Sequence, residues 1–548
     1  MVRIPKGIIN AQYDYIEKAK AYIGGEIPFE EFKHYASPMG VYAQKREGTF
    51  MVRPRIFSGI ITKEKLEAVV EIAKRFSGGE IHLTTRQDIQ FHGLSIEDTI
   101  EIFEVLTPLG LIGKGAGGNA IRNINCSPLS GVEVGEVFDV NEHAKKATEF
   151  ILQMEGMTKL PRKYKIAISN SPKDTAFATI SDLGFIAKIQ DGRRGFELYG
   201  GGGLGGVPDI ALKLEAFIPE EEILYHIEAM KRLFEDEGDR TNRNKARIRF
   251  IKYRLGNEAF TEKYRVYVEK VKSEKDLYIE FKSDVELDNK LGEGTNKSFE
   301  GLRDFRVINQ RNKGYYSLYL HPENGDLNVG DLDKILDITD LLDYDVEFRL
   351  SNSQGIYIRN VKEKDVESFI KSISAFTKET DIENSTTCTG AKNCRIGLCN
   401  SQGLLKEINK VLEGYSIEFK SQLPKIHVSG CRNSCGWHHI GTLGFSGAAI
   451  KTESGSIPAY TVHIGGRVGS EISKLGENKG VLPARKVPRF VDRLLERFEK
   501  CEIKDFDRFI DVNETLIITL INELKTVDDI PKDIKYFDFE NQKPYLSK

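Results

Sequence analysis

The chain has 548 residues, 40% of them hydrophobic and 29% charged, with a net charge of −3. That is the make-up of an ordinary soluble globular protein, too long for one core, and the near-neutral charge gives no global pull toward nucleic acid. No apolar run reaches the length of about 18 residues that a membrane span needs. The opening "MVRIPKGIINAQYDYIEKAK" lacks a secretory apolar stretch, so a cytoplasmic location is expected.

Residues 1–45 are expected to form an N-terminal helical segment. In 46–112, "FMVRPRIFSGIITKEKLEAVVEIAKRF" predicts strand, turn and helix, and "EIHLTTRQDIQFHGLSIEDTIEIFEVL" predicts two strands and a helix. Apolar residues first alternate and then recur at helical spacing. The order returns within 301–376, in "YSLYLHPENGDLNVGDLDKILDITDLL" and "EFRLSNSQGIYIRNVKEKDVESFIKSI". Ile81, Leu83, Gln87, Ile89 and Phe91 fall opposite Phe348, Leu350, Gln354, Ile356 and Ile358. Two α+β half-domains paired about a pseudo-twofold axis are therefore expected. Arg53, Arg55, Arg86 and Gln90 load the first repeat where the second is mostly neutral. Residues 113–300 read as a mixed α/β domain rich in glycine and arginine, ending in the linker "LDNKLGEGTNKSFEG". Residues 377–500 hold the cysteine region and an amphipathic helix at "VPRFVDRLLERFEK"; a helix and charged tail fill 501–548.

The seven cysteines do not suggest a disulfide framework. Four form two pairs, Cys388 and Cys394 in "TTCTGAKNCRIGLC", Cys431 and Cys435 in "SGCRNSCGW". Such thiolates bind zinc or an iron–sulfur cluster. The five-residue gap of the first pair is loose for a zinc knuckle and favours the larger cluster, with a structural zinc site as the alternative. Gly430 and Gly436 are expected to let backbone amides approach the sulfurs. Cys126, Cys399 and Cys501 read as packing residues, Cys399 on the following helix. His438 and His439 read as hydrogen-bond donors beside the cluster rather than ligands.

Together with "NAIRNINCSP", "LPRKYK", "GFELYGGGGLGG" and "GDRTNRNKARIRF", these motifs resemble the sirohaem-containing sulfite and nitrite reductases over nearly the whole chain. The resemblance implies an α+β fold of duplicated ferredoxin-like half-domains plus two mixed α/β cofactor-binding domains. It also implies a 4Fe–4S cluster on Cys388, Cys394, Cys431 and Cys435, with Cys435 bridging to the sirohaem iron. Sirohaem is a polycarboxylate, and arginine forks well onto carboxylates. Matched motif by motif, Arg86, Gln90, Arg162, Arg247 and Asn433 fall on sirohaem-contacting positions. The loop Gly201, Gly202, Gly203 and Leu204 is expected to bring bare amides to the ring. His82 stands where another arginine is expected. Neither "GGGGLGG" nor "GKGAGGNA" is a nucleotide fingerprint.

Arg53, Arg122, Lys163 and Lys165 fall on substrate positions, and crowded cations suit an oxyanion that must be bound and protonated. In this family, lysine–x–lysine goes with sulfite and lysine–x–asparagine with nitrite. Lys163–Tyr164–Lys165 thus predicts six-electron reduction of sulfite to sulfide, with reduction of nitrite to ammonia as the alternative. No flavin or nicotinamide domain is visible, so a separate ferredoxin or flavoprotein is expected as donor. Arg467, Arg485, Lys486 and Arg489 are its candidate docking patch.

Overall fold

The computed structural model describes residues 2–281, 305–541 and 543–545; the expected linker lies outside them. Among the described residues, no helix is long and apolar enough to cross a membrane.

The two repeats fold into matching antiparallel sheets, and each lends a strand to the other. One sheet runs in the order Val41–Ala43, Phe50–Val52, Ile89–Leu94, Glu80–Leu83, Asp326–Asn328. The other runs Val307–Asn309, Tyr315–Leu320, Ile356–Lys362, Glu347–Leu350, Ile60–Ile61. The strand from the second repeat pairs Asp326 with His82, and the strand from the first pairs Ile61 with Phe348. The exchange is held by twinned glutamines, Gln87 (φ 56°) and Gln354 (φ 63°). Gln87 Nε2 donates to the Leu350 carbonyl at 2.9 Å, and Gln354 Nε2 to that of Leu83 at 3.3 Å. Gly59 and Gly325, both near φ +75°, let the chain pass beneath: a Cβ on either would come within 3 Å of that same carbonyl. Helices Lys63–Phe76 and Ile96–Leu106 pack beneath the first sheet, started by a Thr62 cap and a Ser95–Asp98 capping box. The N-terminal helices Lys6–Ile23 and Phe29–Ala36 add Tyr15, Ile16 and Phe32 to the shared core.

The sequence reading did not find a second duplication, which organises the other two domains. Asn125–Cys126, Ile166–Ser169, Leu183–Gln190, Arg193–Gly200 and Leu212–Pro219 form one sheet, its first two pairings parallel and the rest antiparallel. Thr386–Thr387, His427–Ser429, Leu443–Thr452, Gly455–Ile464 and Glu477–Pro483 repeat this order and sense. A helix follows each last strand, Ile223–Glu237 and Val487–Glu499. In the latter, Val487, Phe490, Val491, Leu494, Leu495 and Phe498 are buried, one apolar face at helical spacing. Each domain has its own core. The tight turns after Ile166–Ser169 and His427–Ser429 meet where Phe177 and Trp437 pack with ring centroids 4.4 Å apart.

Candidate active site

A cleft opens where all four units converge, with about 1220 Å³ of empty space including its mouth. Of the expected site residues, Arg53, Arg86, Gln90, Arg122, Lys163, Lys165, Leu204, Asn433, Cys388 and Cys435 line it. So do residues the sequence reading passed over: Thr84, Thr85, Asp88, Gln354, Thr387, Thr389, Ser434 and Trp437. For all but Gln354, which the repeat had aligned with Gln87, the signal was adjacency to picked residues in the same motifs.

The lining is strongly cationic: among the described residues, five arginines and lysines face one carboxylate, Asp88. The arginines are anchored at one end. Arg53 and Arg122 both donate to the Ala116 carbonyl, and Arg122 also to Gly118 O at 2.7 Å. Arg86 donates to Ile166 O at 3.0 Å. Yet the Nε of each is buried without a partner among the described residues. Burial, only partly offset by Asp88, brings Arg86 down to about 9. Burial brings Arg122 down to about 10. Burial, with Arg247 adding repulsion, pushes Lys163 down to about 7. Lys165 is lowered further below its ordinary value by burial and then by Lys163. Uncompensated buried cations are costly unless an anion joins them.

Three of the expected positions show arrangements the sequence did not suggest. Arg247 forks onto Asp182, at 3.1 and 2.7 Å, so its guanidinium is engaged within the protein. Two residues on, Arg249 is 4% exposed with Nε and Nη1 unpartnered among the described residues, and it too lies outside the cleft lining. The row of bare amides is absent: Gly201, Gly202 and Gly203 donate to the carbonyls of Asp182, Ser181 and Asp209. Arg162 does not line the cleft; it is partly buried beside Arg243 and Arg247, which hold its pKa down together with burial. His82 does line the cleft, its Nδ1 2.6 Å from Asp326 Oδ1 on the strand from the second repeat.

The cysteines sit on two turns. Gly430 N donates to Cys388 Sγ at 3.1 Å, the amide-to-sulfur contact expected from the flanking glycine. Gly436 is required by close packing, since a Cβ there would lie 1.9 Å from Val428 O. Thr85 Oγ1 donates to Cys435 O at 3.0 Å and ties this turn to the first half-domain. Burial and then Cys435 push the Cys388 thiol up to about 12; burial also raises Cys431. Such thiols stay protonated until a metal displaces the proton. Cys399 is fully buried just before helix Ser401–Leu412, its Sγ donating to Ala448 O and Ala459 O. Cys126 is buried on a strand and Cys501 partly buried.

The unpartnered arginine nitrogens, together with the buried Ser434 Oγ and Trp437 Nε1, make a site that a polyanionic macrocycle would satisfy. The expected docking patch is different. Arg467 pairs with Asp507 and Asp511, Lys486 is buried against Asp529, and Arg485 donates to the Phe537 and Asp538 carbonyls. Only Arg489 of the four is exposed.

A model of the nitrite and sulphite reductase 4Fe-4S domain matches residues 117–272 and 378–505, and one of the nitrite/sulfite reductase ferredoxin-like half domain matches 42–109 and 308–376. The assimilatory ferredoxin-dependent nitrite reductase of Haloferax mediterranei is 27% identical over 86% of this chain and 82% of its own. The ferredoxin–nitrite reductase of Synechococcus elongatus is 28% identical over 78% and 82%. The solved NirA protein of Mycobacterium tuberculosis has the same fold, with a TM-score of 0.76 at 23% identity over 93% of this chain and 97% of that one. The chain belongs to the nitrite and sulfite reductase family, whose prosthetic groups are sirohaem and a 4Fe–4S cluster.

Proposed function

We propose that this protein reduces nitrite to ammonia with six electrons from a separate acidic carrier of the ferredoxin type. The observation that carries the reading is the convergence of Arg53, Arg122, Lys163 and Lys165 on the cleft that Cys388 and Cys435 also line. The curated relatives, named as ferredoxin-dependent nitrite reductases, support nitrite over the sulfite expected from the lysine pair. Cys388, Cys394, Cys431 and Cys435 would hold the cluster, and Arg86, Gln90 and Asn433, which line the cleft, would meet the sirohaem. When bound, these groups would relay the carrier's electrons and offer the metal that takes the anion.

The chain supplies charge and protons. Arg53 and Arg122, fixed by backbone carbonyls, draw and orient the oxyanion. Lys163 and Lys165 hold their protons loosely, because burial and mutual repulsion press their pKa values down. An arriving anion favours their charged forms, so substrate binding itself loads the donors that reduction consumes. Exposed Lys45, Arg46, Lys392 and Arg432 lie near the cysteine turns, with Lys45 Nζ donating to Ala391 O at 2.8 Å. This face, rather than the Arg467 region, suits an acidic donor.

The sulfite reading keeps one specific support: Lys165 lines the cleft where the nitrite pattern has asparagine. Parallel kcat/KM measurements with a reduced dye decide. A nitrite value at least about tenfold higher supports the proposal, and a sulfite value higher by that margin replaces it.

A further inference from the structure

His438, His439 and His463 form a buried cluster outside the cleft. They are 0%, 8% and 7% exposed, and a ligand atom from each lies within 4.8 Å of the others. Nε2 of His438 and of His439 are 3.1 Å apart. His439 Nε2 also lies 3.2 Å from the Gly205 carbonyl, and His463 Nε2 lies 3.0 Å from Ser446 Oγ. Nδ1 of His438 and of His463 are buried without partners among the described residues.

The internal duplication supplies a control. At the matching places the twin domain, whose turn carries no cysteines, has Ala178, Thr179 and Tyr199, with Ile186 opposite Ser446. Ala178, Ile186 and Tyr199 there form a small apolar core. The fold therefore packs this spot without any imidazole. Three converging imidazoles with unsatisfied nitrogens ask for something that binds nitrogen lone pairs.

We propose that His438, His439 and His463 form a site for a divalent first-row transition metal of the zinc class, separate from the cluster. Zinc–nitrogen bonds of about 2.0 Å need only small side-chain rotations to close this triad. Burial keeps the ligands neutral: His439 and His463 are brought down to about 4, and His438 lower still. Arg249, which repels the His439 cation, favours an anionic fourth ligand such as hydroxide. The occupied site would brace the turn after Cys435 against the strand Gly455–Ile464 and, through His439, against the Gly205 loop.

The test uses the holoenzyme exposed to a small excess of Zn²⁺ and freed of unbound ion. One zinc per chain above the iron of the prosthetic groups is expected, with X-ray absorption showing about three nitrogen neighbours near 2.0 Å. His463→Tyr, which restores the residue of the twin domain, should lower zinc to about a tenth or less while iron content and visible absorption stay as in the parent. A parent that retains no zinc, or a His463→Tyr variant that retains as much, overturns the proposal. Should His463→Tyr not accumulate, His439→Thr makes the same test from the other strand. Neither variant touches a residue assigned to the reaction, so nitrite turnover reports separately.

Discussion

The turn Ser429–Trp437 carries Cys431 and Cys435; the turn Ser169–Phe177 is its twin without cysteines. Their backbones match closely. Asp174 and Ser434 both have φ near 55°, and Phe177 and Trp437 both have φ near 66°. Ser169 Oγ accepts from Ala176 N at 3.1 Å, as Ser429 Oγ accepts from Gly436 N at 3.0 Å. Their interiors differ. Asp174 fills its turn, accepting from Ser169 Oγ, Ala178 N, Thr179 N and Thr179 Oγ1 at 2.6–2.9 Å. At that position the other turn has Ser434, whose buried Oγ lacks a partner among the described residues. One turn satisfies itself; the other leaves thiols and a hydroxyl for a ligand. The two turns thus share a frame and differ in whether it is filled from within.

Breaking the self-satisfied turn should have the largest effect on stability. Asp174→Ala strands four donors and should cost about 3–5 kcal/mol in denaturant unfolding, while Ser434→Ala in the apoprotein should cost under about 1 kcal/mol. Equal losses would erase the contrast.

The two following helices differ in a titratable way. His226 is buried where the twin helix has Phe490, and burial followed by Lys272 brings its pKa down to about 3. Its folded pKa lies below its unfolded value near 6.5, so its neutral form stabilises the fold above that pH and the contribution is lost as pH falls toward 3. Between pH 7 and 5 this predicts a loss of about 2 kcal/mol in unfolding free energy. His226→Phe should remove that share of the acid-induced loss, and an unchanged slope would show that His226 contributes none of it.

The lysines before the twin strands sharpen the comparison further. Lys425 is tied to Asp381 at 3.3 Å and Asn384 O at 2.7 Å, whereas Lys165 lines the cleft. Lys165→Asn should move the nitrite-to-sulfite ratio of kcat/KM toward nitrite by about tenfold, and Lys425→Asn should leave the ratio unmoved. Smallest of all, Phe177→Leu should cost about 1 kcal/mol through the lost ring contact with Trp437, read as a modest fall in unfolding midpoint.

The half-domain repeat was legible because Gln87 and Gln354, with their alternating neighbours, keep side-chain types as well as spacing. The second duplication was not, because Ser171 and Thr175 stand where the other turn has Cys431 and Cys435, and sheet order, hydrogen bonds and backbone dihedrals reveal them as counterparts. Arg53 and Arg86 were expected on strands, but Arg53 follows Phe50–Val52 and Arg86 sits in the turn between Glu80–Leu83 and Ile89–Leu94, so their motifs rather than apolar alternation marked them. Which of Arg247 and Arg249 would be engaged could not be read, since Asp182 reaches Arg247 only through the fold. The Gly201–Gly203 amides were misread for the same reason: their acceptors come from neighbouring segments. The basic stretch near Arg467 is neutralised by Asp507, Asp511 and Asp529, all distant in sequence.

The most direct measurement is visible absorption and iron content of Cys435→Ser beside Thr175→Ser, the same replacement at the twin position. The cysteine variant should lose cluster and haem absorption and at least about 10³-fold in nitrite turnover, while the threonine variant keeps all three. Retention of both prosthetic groups and turnover in Cys435→Ser would contradict the assignment of this turn as the cofactor-holding copy.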